Sequence, residues 1–261
     1  MNDEAIRVHR DGAVLEVTLD RPKANAIDGP TSRHLGEVFA AFRDDPGLRV
    51  AIVTGAGDRF FSAGWDLKAT ADAGEPDWDF GVGGFAGLQQ LPGLNKPVIA
   101  AVNGMAVGGG FELALSADLI VAADHARFAL PEINAGTLAD AATIKLPRRV
   151  AYHLAMDLLM TGRWMDVDEA RRVGIVRDVV PAADLLAHAR ALARTLADGP
   201  PLVLAAIKEV ARETAHLPVA EVFELLDRRD LETVATLYSS ADMMEGARAF
   251  AEKRAPRWEG R

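Results

Sequence analysis

The chain reads as an α/β protein with parallel strand pairing and a helical C-terminal region, and three observations carry that reading. Three apolar runs, Val50-Ala51-Ile52-Val53-Thr54, Pro97-Val98-Ile99-Ala100-Ala101-Val102 and Leu119-Ile120-Val121-Ala122, have the length and composition of buried strands. Stretches of helical spacing alternate with strands, the order that parallel pairing requires. From Ala182 onward helical periodicity dominates, and no convincing strand follows.

Taken in order, Val14-Leu15-Glu16-Val17-Thr18-Leu19 alternates as a strand should and ends at Asp20-Arg21-Pro22. Asp28 then offers an N-cap and Pro30 an early helical position. Leu35, Val38, Phe39 and Phe42 follow at the spacing of one helix face. The Val50–Thr54 strand closes in the turn Gly55-Ala56-Gly57-Asp58, and Phe60–Asp66 reads as a further turn whose small residues permit close backbone approach. Residues 71–84, rich in Gly, Asp and Pro with the bulky aromatics Trp78 and Phe80, read as a loop or lid, the usual place for substrate contacts. Asp166-Val167-Asp168-Glu169 has capping-box spacing and opens a short helix stopped by Gly174, with a last short strand at Ile175–Val180.

At 261 residues the chain has room for one large domain, or for a domain with an appendage. Pro200-Pro201 marks the expected junction, giving an α/β core over 1–199 and a helical region over 200–261. The formal net charge of -9 argues against a nucleic-acid partner. Without cysteine there is no disulfide, thiolate metal site or cysteine nucleophile. The acidic start Met1-Asn2-Asp3-Glu4 lacks the pattern of a signal peptide, and no apolar run approaches the length of a membrane span. A cytoplasmic location is expected.

The most informative segment is Val107-Gly108-Gly109-Gly110-Phe111-Glu112-Leu113. The first amides of a helix have no intrahelical acceptor, so they can face an oxygen that is becoming negative. Glu112 lies three residues beyond Gly109 and therefore on the same helix face. Its helix stays apolar through Leu113-Ala114-Leu115, and an ionised carboxylate costs several kcal/mol to bury unpaired. Either it serves chemistry, or it points outward or into a salt bridge. A second carboxylate, Glu132, follows a short strand and Pro131; alone it would pass for a surface loop residue. Together the two can divide general-acid and general-base duty.

Other chemistries find little support. The six histidines show no metal-ligand spacing, and Ser62 lacks the glycine of a nucleophile elbow. Gly81-Val82-Gly83-Gly84-Phe85-Ala86 fits a dinucleotide fingerprint but follows an acidic loop instead of a strand. Lys253-Arg254-Ala255-Pro256-Arg257 is a basic island, a solvated tail or a phosphate contact.

These motifs, in this order, resemble the enoyl-CoA hydratase/isomerase (crotonase) superfamily along essentially the whole chain. The resemblance rests on Leu19-Asp20-Arg21-Pro22 with Asn25-Ala26, on Phe60–Leu67, and on Lys96–Gly104 running into Gly108–Leu113. Phe128–Glu132, Thr161-Gly162 and Ala170–Val176 complete it. Within the superfamily, Arg21–Asp28 and Ala63–Ala69 look most like carnitinyl-CoA dehydratases.

The resemblance implies a spiral of ββα units followed by helices used in trimerisation, as a homotrimer or dimer of trimers. It implies an oxyanion hole from the Trp65 and Gly109 amides, and catalytic roles for Glu112 and Glu132, with acid and base unassigned. Lys23, Ala24, Ala63, Asp66, Leu67 and Lys253 would lie at the CoA, which arrives as part of the substrate, so no separate cofactor is expected. One departure stands out: Gly136 is kept, but Ala139 replaces a proline and Ala141-Ala142 stand near the family's paired glycines. The backbone beside Glu132 is therefore expected to be shaped differently. The expected activity is addition or removal of water across the α,β bond of an acyl-CoA thioester. The alternatives are an enoyl-CoA isomerase or another reaction of the superfamily, and a non-catalytic acyl-CoA-binding protein.

Overall fold

In a computed structural model, residues 5–74 and 77–261 are described. The acidic start Met1–Glu4, and Glu75 and Pro76 of the expected lid, lie outside the described residues. The first of two compact units comprises the described residues up to Leu94 together with Val98–Ala193; the second comprises Asn95–Pro97 and Arg194–Arg261.

The strands of the first unit are β1 (Ile6–Asp11), β2 (Val14–Leu19), β3 (Val50–Gly55), β4 (Phe60–Ser62), β5 (Val98–Val102), β6 (Met105–Val107), β7 (Leu119–Ala123), β8 (Arg127–Ala129), β9 (Met165–Asp166) and β10 (Asp178–Val180). Its helices are α1 (Gly29–Asp44), α2 (Leu67–Ala73), α3 (Gly109–Ser116), α4 (Glu132–Ala135), α5 (Asp140–Lys145), α6 (Tyr152–Thr161) and α7 (Val167–Arg172). After α8 (Leu185–Ala197), which runs from the first unit into the second, come α9 (Pro201–Glu213), α10 (Val219–Arg228), α11 (Glu232–Ser239) and α12 (Glu245–Glu252). As expected from the periodicity, no strand follows β10 among the described residues.

Two sheets form. One has the order β1-β2-β3-β5-β7-β10, the other β4-β6-β8-β9. Pairing is parallel except at β1–β2 and β8–β9. Successive stretches β3-β4-α2, β5-β6-α3 and β7-β8-α4 each place one strand in either sheet and then a helix, which is the ββα spiral. β3 and β5 are buried along their whole length, as continuous apolar strands in a covered parallel sheet must be.

Local signals act where the sequence puts them. Asp28 accepts the Thr31 N–H at the start of α1, which buries Leu35, Phe39 and Phe42. Asp166 caps α7 by accepting the Glu169 N–H. Glu169 does not complete a capping box: Arg163 holds its carboxylate through two N–H groups instead.

Three boundaries differ from expectation. Phe60–Ser62 is a strand and not part of a turn, because it pairs with the remote β6. The loop expected from Ala71 begins later, since α2 continues to Ala73. The strand expected over Ile175–Val180 is confined to Asp178–Val180, where β7 supplies a partner.

Candidate active site

The site is assembled by backbones in unusually close approach. A Cβ placed on Gly64 would lie 2.7 Å from the Gly109 nitrogen, so the turn carrying Trp65 rests directly on the N-terminus of α3. Gly64 has φ +79, a conformation that favours glycine. Ile27 fixes this turn from both sides of Trp65, donating its N–H to Gly64 O at 2.7 Å and accepting the Asp66 N–H at 2.9 Å. Ser62 Oγ is spent on structure, accepting the Gly64 N–H and donating to Asn25 O.

The three glycines of the opening motif each meet a different neighbour. A Cβ on Gly108 would stand 2.5 Å from Glu132 Oε1, while one on Gly109 would run into Phe85 Cε1 and one on Gly110 into Ser62 O. A backbone carbonyl holds Gly110 to glycine and an aromatic ring crowds Gly109, while Gly108 is favoured by its φ of +53 beside the carboxylate.

Glu112 is buried, 6% exposed, and among the described residues it neither points outward nor forms a salt bridge. Its Oε1 accepts the Ala142 N–H at 2.9 Å, and its Oε2 accepts from Gln89 Nε2 at 3.2 Å. Burial pushes its pKa above the usual carboxylate range; the two N–H donors oppose that shift and nearby Asp140 adds to it. The altered segment after Gly136 thus supplies a main-chain donor to the first glutamate.

Glu132 opens α4. Among the described residues, its Oε2 is the buried side-chain polar atom without a hydrogen-bond partner. Burial raises its pKa to about 7, and the negative charge of Glu112 pushes the same way.

Over this junction lies an aromatic cluster. The Trp65 ring stacks on Phe85 at 5.9 Å and meets Trp78 and Phe80 edge-on at 5.2 and 5.3 Å. Trp78 remains 69% exposed. Arg33 of α1 holds the segment by donating to the Asp77 carboxylate and the Asp79 carbonyl.

Of the residues assigned to CoA, the structure brings several together. Ala63 donates its N–H to Ala24 O, and Asp66 accepts from Arg21 at 3.1 Å. Arg21 also bonds Asp28 and the Ala26 carbonyl. A cavity of about 650 Å³ lined by Arg21, Pro22, Asp28, His34 and Asp66 adjoins this cluster, and neither glutamate lines it. Lys23 is exposed with φ 83, and Leu67 is exposed at the start of α2. Lys253 belongs to the second unit, at the left-handed cap of α12.

Sequence reasoning missed Gln89, Phe85 and the Ala142 amide. The one available signal for Gln89 was a polar pair, Gln89-Gln90, set between Leu88 and Leu91.

A ββα spiral whose glycine-led helix start carries one buried glutamate and touches a second defines the class: a thioester-activating enzyme of the crotonase type. Residues 9–261 match the enoyl-CoA hydratase/isomerase family, and the chain belongs to it. It is 54% identical over 259 residues to the carnitinyl-CoA dehydratase of Escherichia coli K12, covering 99% of each chain. The carnitinyl-CoA dehydratase of Salmonella arizonae is likewise 54% identical over 258 residues, covering 98% of this chain and 99% of that one. Among solved structures, enoyl-CoA hydratase from Mycobacterium tuberculosis H37Rv superposes with a TM-score of 0.89 at 36% identity, covering 99% of this chain and all of that one.

Proposed function

We propose that this enzyme is a hydro-lyase of acyl-CoA thioesters and that its substrate is carnitinyl-CoA. The observation that carries the reaction type is the pairing of two glutamates at one helix start in unlike environments. Glu112 receives an N–H on each carboxylate oxygen, which favours its charged form, whereas the Glu132 Oε2 receives none from the described residues. The reaction uses the pair with one proton between them, carried in the hydrating direction by Glu132, whose pKa burial raises to about 7.

In hydration, Glu112 takes a proton from water as its oxygen bonds to Cβ, and Glu132 delivers a proton to Cα. In dehydration the roles reverse: Glu132 as carboxylate removes the α-proton, and Glu112 as acid protonates the departing hydroxyl. In both directions the thioester oxygen becomes enolate-like, and the Trp65 and Gly109 amides stabilise it. One such donor is typically worth about a hundred- to a thousandfold in rate.

The acyl preference is supported by the similarity to carnitinyl-CoA dehydratases and by the aromatic cluster at Trp65. A trimethylammonium group is bound well by aromatic rings, which offer it a negative face without a competing anion. Trp78, Phe80 and Phe85 supply that chemistry beside the stacked Trp65.

Incubating the enzyme with carnitinyl-CoA in ¹⁸O-water tests the reading. Appearance of the conjugated enoyl thioester, with ¹⁸O entering the β-hydroxyl, is expected. In a parallel incubation with an enoyl-CoA, a migrated double bond without oxygen exchange would instead show an isomerase, and binding of either thioester without turnover a silent carrier.

A further inference from the structure

Glu112 belongs to a closed ring of hydrogen bonds that none of the reacting groups requires. Gln89 Nε2 donates to Glu112 Oε2 at 3.2 Å. The Gln89 main-chain carbonyl accepts from Lys145 Nζ at 3.4 Å, and the same ammonium donates to Ser116 Oγ at 2.7 Å. Ser116 Oγ then donates to the Glu112 carbonyl at 2.8 Å. The ring leaves Glu112 by its side chain and returns by its backbone. Lys145 also ends α5, the helix whose Ala142 N–H holds the other carboxylate oxygen.

Capping the C-terminus of α3 does not account for this arrangement. A cation near a helix end is favourable, but Arg149 already meets that need by donating to the Leu115 carbonyl. Lys145 reaches past the helix end to the carbonyl of Gln89. Burial holds its pKa down to about 8, with the charge of Arg149 acting the same way and Glu112 opposing. Burying an ammonium costs several kcal/mol, so a cap alone would be better served by an exposed lysine.

We propose that Lys145, Ser116 and Gln89 form a positioning frame that fixes the plane and reach of the Glu112 carboxylate for proton transfer. A glutamate has three side-chain torsions, and a donor on each oxygen removes the freedom those torsions leave. An error of about 1 Å in such a group costs on the order of a hundredfold in rate. The frame rests on the reading of Glu112 as a reacting group, and the test separates the two.

Glu112→Gln is measured first, then Gln89→Met, Ser116→Ala and Lys145→Met, with Arg149→Met as a control for helix capping. Glu112→Gln is expected to bind the thioester without turning it over. Gln89→Met and Lys145→Met should lower kcat about ten- to a hundredfold while KM changes little. Because the Gln89 donor holds the Glu112 pKa down, its loss should also move the acid limb of the hydration pH profile upward. That limb is set by Glu112, which faces Gln89, Lys145, Asp140 and Glu132. Arg149→Met should lower the melting temperature with kcat and the acid limb unchanged. Should Lys145→Met fail to fold, Gln89→Met and Ser116→Ala still report on the frame. Wild-type kcat and an unmoved limb in those two, alongside an inactive Glu112→Gln, would overturn it. Full turnover in Glu112→Gln would overturn the reading of Glu112 itself, and the frame with it.

Discussion

Glu132 Oε1 lies against the α-carbon of Gly108, so closely that a methyl group there would stand 2.5 Å from the oxygen. The helix that presents Gly109 and Glu112 therefore also sets where the second glutamate rests. Gly108→Ala would push that carboxylate aside and place alanine at φ +53. The displaced group is the end of a flexible side chain, so the cost comes mainly from backbone strain at φ 53, about 1–3 kcal/mol, and the fold should survive it. Turnover should fall on the order of a hundredfold. Steady-state kinetics beside a thermal melt check this: wild-type kcat would mean that Glu132 is not held by Gly108.

Both reaction directions run through a glutamate pair that carries one proton, so kcat/KM shares one pH profile in the two, and its alkaline limb is set by the raised pKa of Glu132. Hydration needs its proton, so kcat/KM for hydration should fall as pH rises through about 7. Dehydration starts from the same singly protonated pair, with the proton on Glu112, so its kcat/KM should fall over the same interval. The shift also costs stability. A carboxyl with a higher pKa folded than unfolded binds more protons in the native state between the two values, so stability declines from pH 4.5 to about 7. Glu132→Gln should remove that decline, gaining on the order of 2 kcal/mol at pH 8 after discounting for solvent screening. Denaturant titrations at pH 5 and pH 8 measure it, and an equal effect at both would contradict burial of a titrating carboxyl as the cause.

Much of this arrangement was legible in the sequence, and what was not has a physical reason. Val50–Thr54, Pro97–Val102 and Leu119–Ala122 announced β3, β5 and β7 because strands covered on both faces are apolar throughout. The strands of the smaller sheet run two or three residues each, too short to show a period, and their pairing depends on remote partners such as Met105 for Phe60 and Asp166 for Arg127. Glu112 stood out as a charge in an apolar helix. Glu132 did not, since a glutamate after a proline looks like surface until Gly108 is seen beneath it. Gln89 and Lys145 matter through contacts to Glu112, to Ser116 and to each other, and no spacing rule encodes a contact between segments so far apart in the chain.

The aromatic cluster predicts a split between substrates. Trp78→Leu removes an exposed ring whose loss should barely touch the core. A quaternary ammonium against such a ring is worth about 1–2 kcal/mol, or roughly tenfold in KM. KM for carnitinyl-CoA should rise by that factor, while KM for an uncharged 3-hydroxyacyl-CoA of equal length stays as it was. Equal losses for both thioesters would assign Trp78 to loop order alone.

Arg21 ties the turn that carries Trp65 to the start of α1. Its guanidinium donates to Asp66 at 3.1 Å, to Asp28 at 2.7 Å and to the Ala26 carbonyl at 2.6 Å, and Asp28 is itself the cap of α1. All three charged side chains are mostly covered, with a quarter or less of each exposed. Arg21→Met would remove the guanidinium that Asp28 and Asp66 share, and removing one partner is the costly way to break a half-buried network. A destabilisation of about 2–3 kcal/mol is expected, smaller than for a fully buried pair because water reaches these groups. Losing the tie should also loosen Asp66 and the Ala63–Ala24 contact, so KM for the thioester should rise more than kcat falls. Denaturant midpoints and steady-state kinetics on the same preparation decide it, because a loss confined to stability would detach this network from CoA recognition.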